Sequence, residues 1–270
     1  MKIELLKICE WFKMNKLSLN IDKTKWTLFH PTSKKKLLPL DIPTLFIDKI
    51  QIKRELVTNF LGIYIDENLS WKYHIDFLCN KVAKSIGIMY KARNALKKHS
   101  LKQLYFSFIH CHLNYANIAW GNTNKSKLLP LYRQQKHVAR LINFKDRFAH
   151  ANPLLFKMKI LNIYQLNIFN ILSFMYKCKN NASPSSFHNL YTLKDKNKYT
   201  LRNDNLIRQT FSLTNFGKSC LSFRRAFLWN KLVVKNFNFS NEWNYLSFKK
   251  KTKRNHFIFR RHIFILLIIL

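Results

Sequence analysis

Cysteine, histidine and a thin set of carboxylates are the side chains here whose chemistry depends on spacing. The five cysteines, Cys9, Cys79, Cys111, Cys178 and Cys220, include no C-x-x-C pair and are odd in number. That excludes a disulfide framework and points to reduced, mostly buried thiols. His110-Cys111-His112 is the tightest group of metal-ligating types. On a helix, residues i and i+2 face different ways, and the second ligand pair of a zinc site is missing. Asp66-Glu67 is the one adjacent acidic pair, at a strand end before a turn. A two-metal phosphoryl site needs carboxylates converging on ions about 4 Å apart, and no second acidic element stands at a suggestive position. The four glycines form no G-x-S-x-G, phosphate-loop or dinucleotide fingerprint. No catalytic residue and no metal ligand is assigned.

Charge is the stronger signal. Lys+Arg number 48 against 13 Asp+Glu, a net of +35. Residues 1–76 hold 13 basic and 9 acidic residues (+4), and residues 77–270 hold 35 and 4 (+31). A field of that size favours a polyanion, nucleic acid first and an anionic membrane surface second. An AT-rich gene would also enrich Lys, Asn, Ile and Phe without a selected function, but would not by itself remove the acids. Two segments fit nucleic acid best. Ser222-Phe223-Arg224-Arg225-Ala226-Phe227-Leu228-Trp229 interleaves cations with aromatics, and Lys249-Lys250-Lys251-Thr252-Lys253-Arg254 is a compact basic run. Cations neutralise phosphates with release of counterions, and aromatics stack on unpaired bases. Phe223, Phe227 and Trp229 fit the core face of a helix better than a base-stacking role, and the lysine run equally fits a solvated face or a nuclear address.

These residues must be positioned by a mixed first part and a helical remainder. A helix is expected over 3–16, then strands at 26–30, 44–47 and 50–53, the last two joined by Asp48-Lys49, and one strand over 57–66 around the lone Gly62. From Trp71 the pattern changes. Trp71, Ile75, Leu78, Val82, Ile86 and Met89 step by three or four, one face of a long helix. Lys81, Lys84, Lys91 and Arg93 lie off that stripe or at its end. Further helices are expected over 101–118, with Leu101, Leu104, Tyr105, Phe108, Ile109 and His112 on one side, and near 126–143, 155–178 and 217–233. A loop is expected at 180–186, and 187–215 is polar and poorly periodic. No apolar run approaches the roughly 20 residues of a spanning helix. The apolar residues 263–270 are too short to span; they fit a membrane-surface contact, a packed end or read-through sequence. Glu4 and Glu10 argue against a secretory leader, so an intracellular location, nucleus or cytoplasm, is expected. The fold class is α+β, predominantly α.

Five segments in order carry a resemblance to one family. Trp11-Phe12 with Asn15-Lys16-Leu17, Leu19-Asn20 and Lys23-Thr24 is the first. Phe60-Leu61-Gly62-Ile63-Tyr64-Ile65-Asp66 is the second, followed by Leu69-Ser70-Trp71 and His74-Ile75. Leu113-Asn114-Tyr115, Trp120-Gly121 and Trp229-Asn230-Lys231-Leu232 complete the set. Together they resemble the reverse transcriptases of jockey-like non-LTR retrotransposons, over about residues 3–255. The resemblance implies an end of the palm over 1–70, a helical thumb over 71–180 and a basic C-terminal region over 181–259; an apolar tail over 260–270 follows. It implies that Lys23 assists nucleotide addition and that Phe60, Leu61 and Gly62 grip the primer end. It also implies that the thumb holds the template–primer duplex by its backbone, with Lys81, Lys84, Lys91 and Arg93 as candidate contacts there; Arg224, Arg225, Lys249, Lys250 and Lys251 of the two basic segments are candidate nucleic-acid contacts in the C-terminal region. Two departures stand out. Val233 replaces the family's Pro, and the catalytic Tyr-x-Asp-Asp, which would precede Met1, does not occur. The family uses Mg²⁺ held by those aspartates, so no cofactor is expected in this chain and no polymerase activity in isolation. A basic helical interaction module and a non-functional relic are the alternatives.

Overall fold

The computed structural model describes residues 2–31, 44–190 and 206–234. The chain divides into two compact units, residues 1–77 and 78–270. Helix predominates and the strands are few and short, an α+β fold that is mainly α.

The first unit opens with helix α1 (Lys2–Met14). Asn15 closes it by donating Nδ2 to the Trp11 carbonyl, and Lys16 turns the chain with a φ of 55°. Strands β1 (Lys25–Trp26), β2 (Leu45–Ile47) and β3 (Ile50–Arg54) form a sheet in the order β1-β3-β2. β1 runs parallel to β3 and β2 antiparallel to it. Asp48 and Lys49 form the expected two-residue turn, both in the left-handed region (φ 45° and 66°), between paired Ile47 and Ile50. That backbone suits the strand twist even without glycine. β1 ends sooner than expected. After Trp26 the Thr27 hydroxyl bonds the Glu55 carbonyl and Thr58 Oγ1 instead of extending a ladder.

The run 57–66 is not one strand but a hairpin, β4 (Val57–Phe60) and β5 (Ile63–Asp66), with Phe60 opposite Ile63. Leu61 (φ 49°) and Gly62 (φ 80°) form its tip. A continuous apolar stretch conceals a two-residue turn because periodicity alone does not mark it. Leu45, Ile47 and Ile52 form the small core, covered by Leu5, Cys9, Leu19, Ile21 and Trp26.

Helix α2 (Lys72–Ala92) follows the hairpin, its Ile75, Leu78, Val82 and Met89 buried as the stripe requires. In the second unit the segment 101–118 is broken up. α3 (Lys98–Leu104) widens into a π-helix (Tyr105–His110), tightens into α4 (Cys111–Asn114), turns at Ala116 (φ 47°) and resumes as α5 (Asn117–Trp120). Its buried side chains are Leu101, Tyr105, Ile109 and Leu113. Steps of four drift around an α-helix of 3.6 residues per turn. The wider π turn keeps those four on one face. Phe108, expected on that side, is exposed.

Helices α6 (Lys125–Ile142), α7 (Ala151–Lys157) and α8 (Ile163–Lys179) follow. The single helix expected over 155–178 is therefore two. Lys159 (φ 56°) breaks it, and Asn162 starts α8 with a capping box to Gln165. Gln135 on α6 ties three segments. Its Nε2 donates to the Tyr105 hydroxyl (2.8 Å) and the Leu161 carbonyl (2.9 Å), and its Oε1 accepts from the Ile163 N–H (3.0 Å). A 3₁₀ turn (Ser185–Leu190), α9 (Asn215–Ser219) and α10 (Leu221–Val234) complete the described chain. Ala226 and Trp229 of α10 pack on Ile171, Leu172, Met175 and Tyr176 of α8, with Ile207 between the described segments. Of the cysteines, Cys178 alone is buried and Cys111 is exposed, so the thiols are less buried than expected. Among the described residues no helix is long and apolar enough to cross a membrane.

Candidate nucleic-acid interface

The two carboxylates singled out by adjacency both hold the fold. Asp66 is buried and its oxygens accept the N–H groups of Ser70 (2.9 Å) and Trp71 (2.8 Å), closing the turn into α2. Glu67 is paired with Arg54 (3.2 Å) and lies 3.5 Å from His30. His74 accepts the Tyr64 N–H at Nδ1, and burial holds its ring down at a pKa of about 4. Among the described residues no three His, Cys, Asp or Glu side chains gather at one point.

Four of the five family-like segments act in the same structural way. Asn20 accepts the Lys23 N–H and its carbonyl accepts the Thr24 hydroxyl. Trp120 donates its indole N–H to the Tyr115 carbonyl. Gly121 lies so close to its neighbours that a Cβ would sit 2.5 Å from the Asn117 carbonyl oxygen and 2.6 Å from Asn167 Nδ2. Asn230 exchanges two hydrogen bonds with the backbone of Ile207.

The candidate contact residues fall in different surroundings. Lys23 is exposed in the turn before β1. Phe60 (59% exposed) and Leu61 (73%) project from the β4–β5 tip, where Gly62 has open space around it and is needed for its positive φ alone. Lys81, Lys84 and Lys91 are exposed on α2. At 100° per residue they share an arc of about 80°, away from the buried stripe. Lys81 adds to burial in holding the His112 pKa down, burial being the larger cause. Arg93 is half-buried, its guanidinium 5.1 Å over the Phe144 ring.

On α10, Arg225 is buried rather than presented to solvent, and its Nε and Nη1 have no hydrogen-bond partner among the described residues. Arg224 is half-buried, and burial lowers the pKa of both groups. Trp229 is core, whereas Phe227 is partly exposed and stacks on Phe223 at 6.3 Å with Lys231 over it. Lys249, Lys250 and Lys251, and the apolar tail, lie outside the described residues.

One basic–aromatic segment is not among the expected sites. Asn143-Phe144-Lys145-Asp146-Arg147-Phe148-Ala149-His150 interleaves cations and rings just as 222–229 does. It falls between the helices expected near 126–143 and 155–178. Phe148 is 90% exposed, while Phe144, 48% exposed, carries the Arg93 guanidinium over its ring. No protein-family model matches the chain, and no curated protein or solved structure does.

Proposed function

We propose that the chain is a nucleic-acid-binding part of a non-LTR retrotransposon reverse transcriptase, corresponding to the end of the palm, the thumb and the C-terminal region. It acts inside the cell and tracks the phosphate backbone with little sequence preference. The observation that carries the reading is the charge of the second unit. Beyond residue 77 the only carboxylate among the described residues is Asp146, while Lys81, Lys84 and Lys91 stand exposed on one side of α2. Cations arrayed along a rigid helix with few acids beside them suit a linear polyanion. The order of the family-like segments supports the same reading.

Polymerisation needs carboxylate-held metal ions. The carboxylates Asp66 and Glu67 are engaged with backbone N–H groups, Arg54 and His30. The expected result is therefore no primer extension by this chain with Mg²⁺ or Mn²⁺, together with duplex binding that weakens steeply with salt. Clear nucleotide incorporation contradicts the first half. A saturable protein partner, with nucleic-acid affinity absent at low salt, contradicts the second and favours an interaction module.

A further inference from the structure

The loop 143–150 and the end of α6 enclose a shallow recess of about 220 Å³. Lys136, Arg140, Phe148, His150 and Pro153 are among its lining. Lys136 and Arg140 are four residues apart on α6 and so lie on one face of it. Each is held in place. Lys136 Nζ sits 4.4 Å over the Tyr132 ring, and the Tyr132 hydroxyl is itself fixed by Asn152 at 2.7 Å. Arg140 Nε donates to the Ala149 carbonyl at 2.7 Å, which pins the loop to the helix. Lys145 and Arg147 are exposed in the same loop beside Asp146. With Lys136 and Arg140 the segment carries four cations against one carboxylate, 4 − 1 = +3.

Phe148, with Phe211, is among the most exposed aromatic rings of the described residues. A large ring 90% exposed gains nothing from burial in this fold. It lines a cationic recess too small for a double helix yet large enough for one base.

We propose that this recess binds a single unpaired nucleotide of a nucleic-acid strand. The base stacks on Phe148, and Lys136 and Arg140 take the adjoining phosphate. The inference rests on the proposed nucleic-acid-binding function and adds to it a preference for single strands at one place. A duplex offers its phosphates to Lys136 and Arg140 but no free base face to Phe148.

The test uses the full chain and two fluorescein-labelled probes of equal length, an oligothymidylate and a duplex, followed by anisotropy at low salt. Phe148→Ala is expected to weaken oligothymidylate binding roughly tenfold and to leave duplex binding within about twofold. Phe148→Trp is expected to retain the single-strand affinity. The double variant K136Q/R140Q is expected to weaken both probes and to flatten the salt dependence by about one to two units of slope. If Phe148→Ala leaves both affinities alone, or lowers both equally, the recess is not a base site while the broader reading stands. If Phe148→Trp loses as much as Phe148→Ala, stacking is refuted. If the unaltered chain binds neither probe at low salt, both proposals fall.

Discussion

The two units handle charge and apolar area in opposite ways. In the first, acids and bases are nearly balanced and meet: Glu4 with Lys7, Glu55 with Lys25, and Glu67 with Arg54 and His30. In the second, Asp146 is the only described carboxylate and 30 apolar side chains are buried. The first unit buries four, Leu45, Ile47, Ile52 and Ile75, in about half as many described residues. Its Leu6, Trp11, Met14, Phe29, Phe46 and Leu56 are all at least half exposed. A unit with few carboxylates must be held mainly by its core, and one with a small core relies more on caps, turns and pairs. The difference is one of charge balance: several of the first unit's described carboxylates pair within it, whereas the second unit has a large excess of cations over its single described carboxylate.

The largest effect belongs to the second unit's core. Trp229 is 1% exposed against α8, and Trp229→Ala is expected to cost about 3–5 kcal/mol. Hydrogen exchange should show α8 amides losing protection while those of β2 and β3 keep theirs. Equal loss in both units would erase the distinction.

Acid should strike the first unit. The folded His74 ring stays neutral down to about pH 4, because burial disfavours its charged form. The unfolded chain takes up that proton near pH 6.5. Stability is therefore complete above about 6.5 and declines as pH falls toward 4, by at most about 3 kcal/mol. His74→Gln should flatten the decline measured by denaturant titration across this window; an unchanged slope places the acid sensitivity elsewhere.

Gly121→Ala is expected to cost about 1–3 kcal/mol, because the new methyl meets the Asn117 carbonyl and the Asn167 amide. Thermal melting of the variant checks it, and a melting temperature within a degree of the parent would show that the contact relaxes freely. Smaller still, Asp66→Asn keeps one acceptor oxygen for two N–H groups and should cost about 1 kcal/mol. The same melts read it, and the loss should fall on the first unit's transition only.

Much of the fold was legible because its cause is local. The α2 stripe, the Asp48-Lys49 turn and α1 each follow from spacing that any neighbour would leave intact. What escaped depends on neighbours. The Leu61-Gly62 turn hides in an apolar run because a hairpin tip exposing Phe60 and Leu61 violates binary patterning. The break at Lys159 hides because a positive φ at lysine has no sequence mark. The candidate interface was legible as excess charge but not as place. Arg225 and Phe148 both sit in cation–aromatic strings of the same look, and tertiary packing buries one and exposes the other.

The account turns on whether the second unit's positive charge holds a phosphate backbone. The most direct measurement is the slope of log affinity against log salt for a short duplex, taken for the full chain and for K81Q/K84Q/K91Q. A steep fall with salt is expected, made shallower by about two to three units in the triple variant as three phosphate contacts disappear. Affinity that ignores salt, or a slope unmoved by the loss of all three lysines, would contradict it.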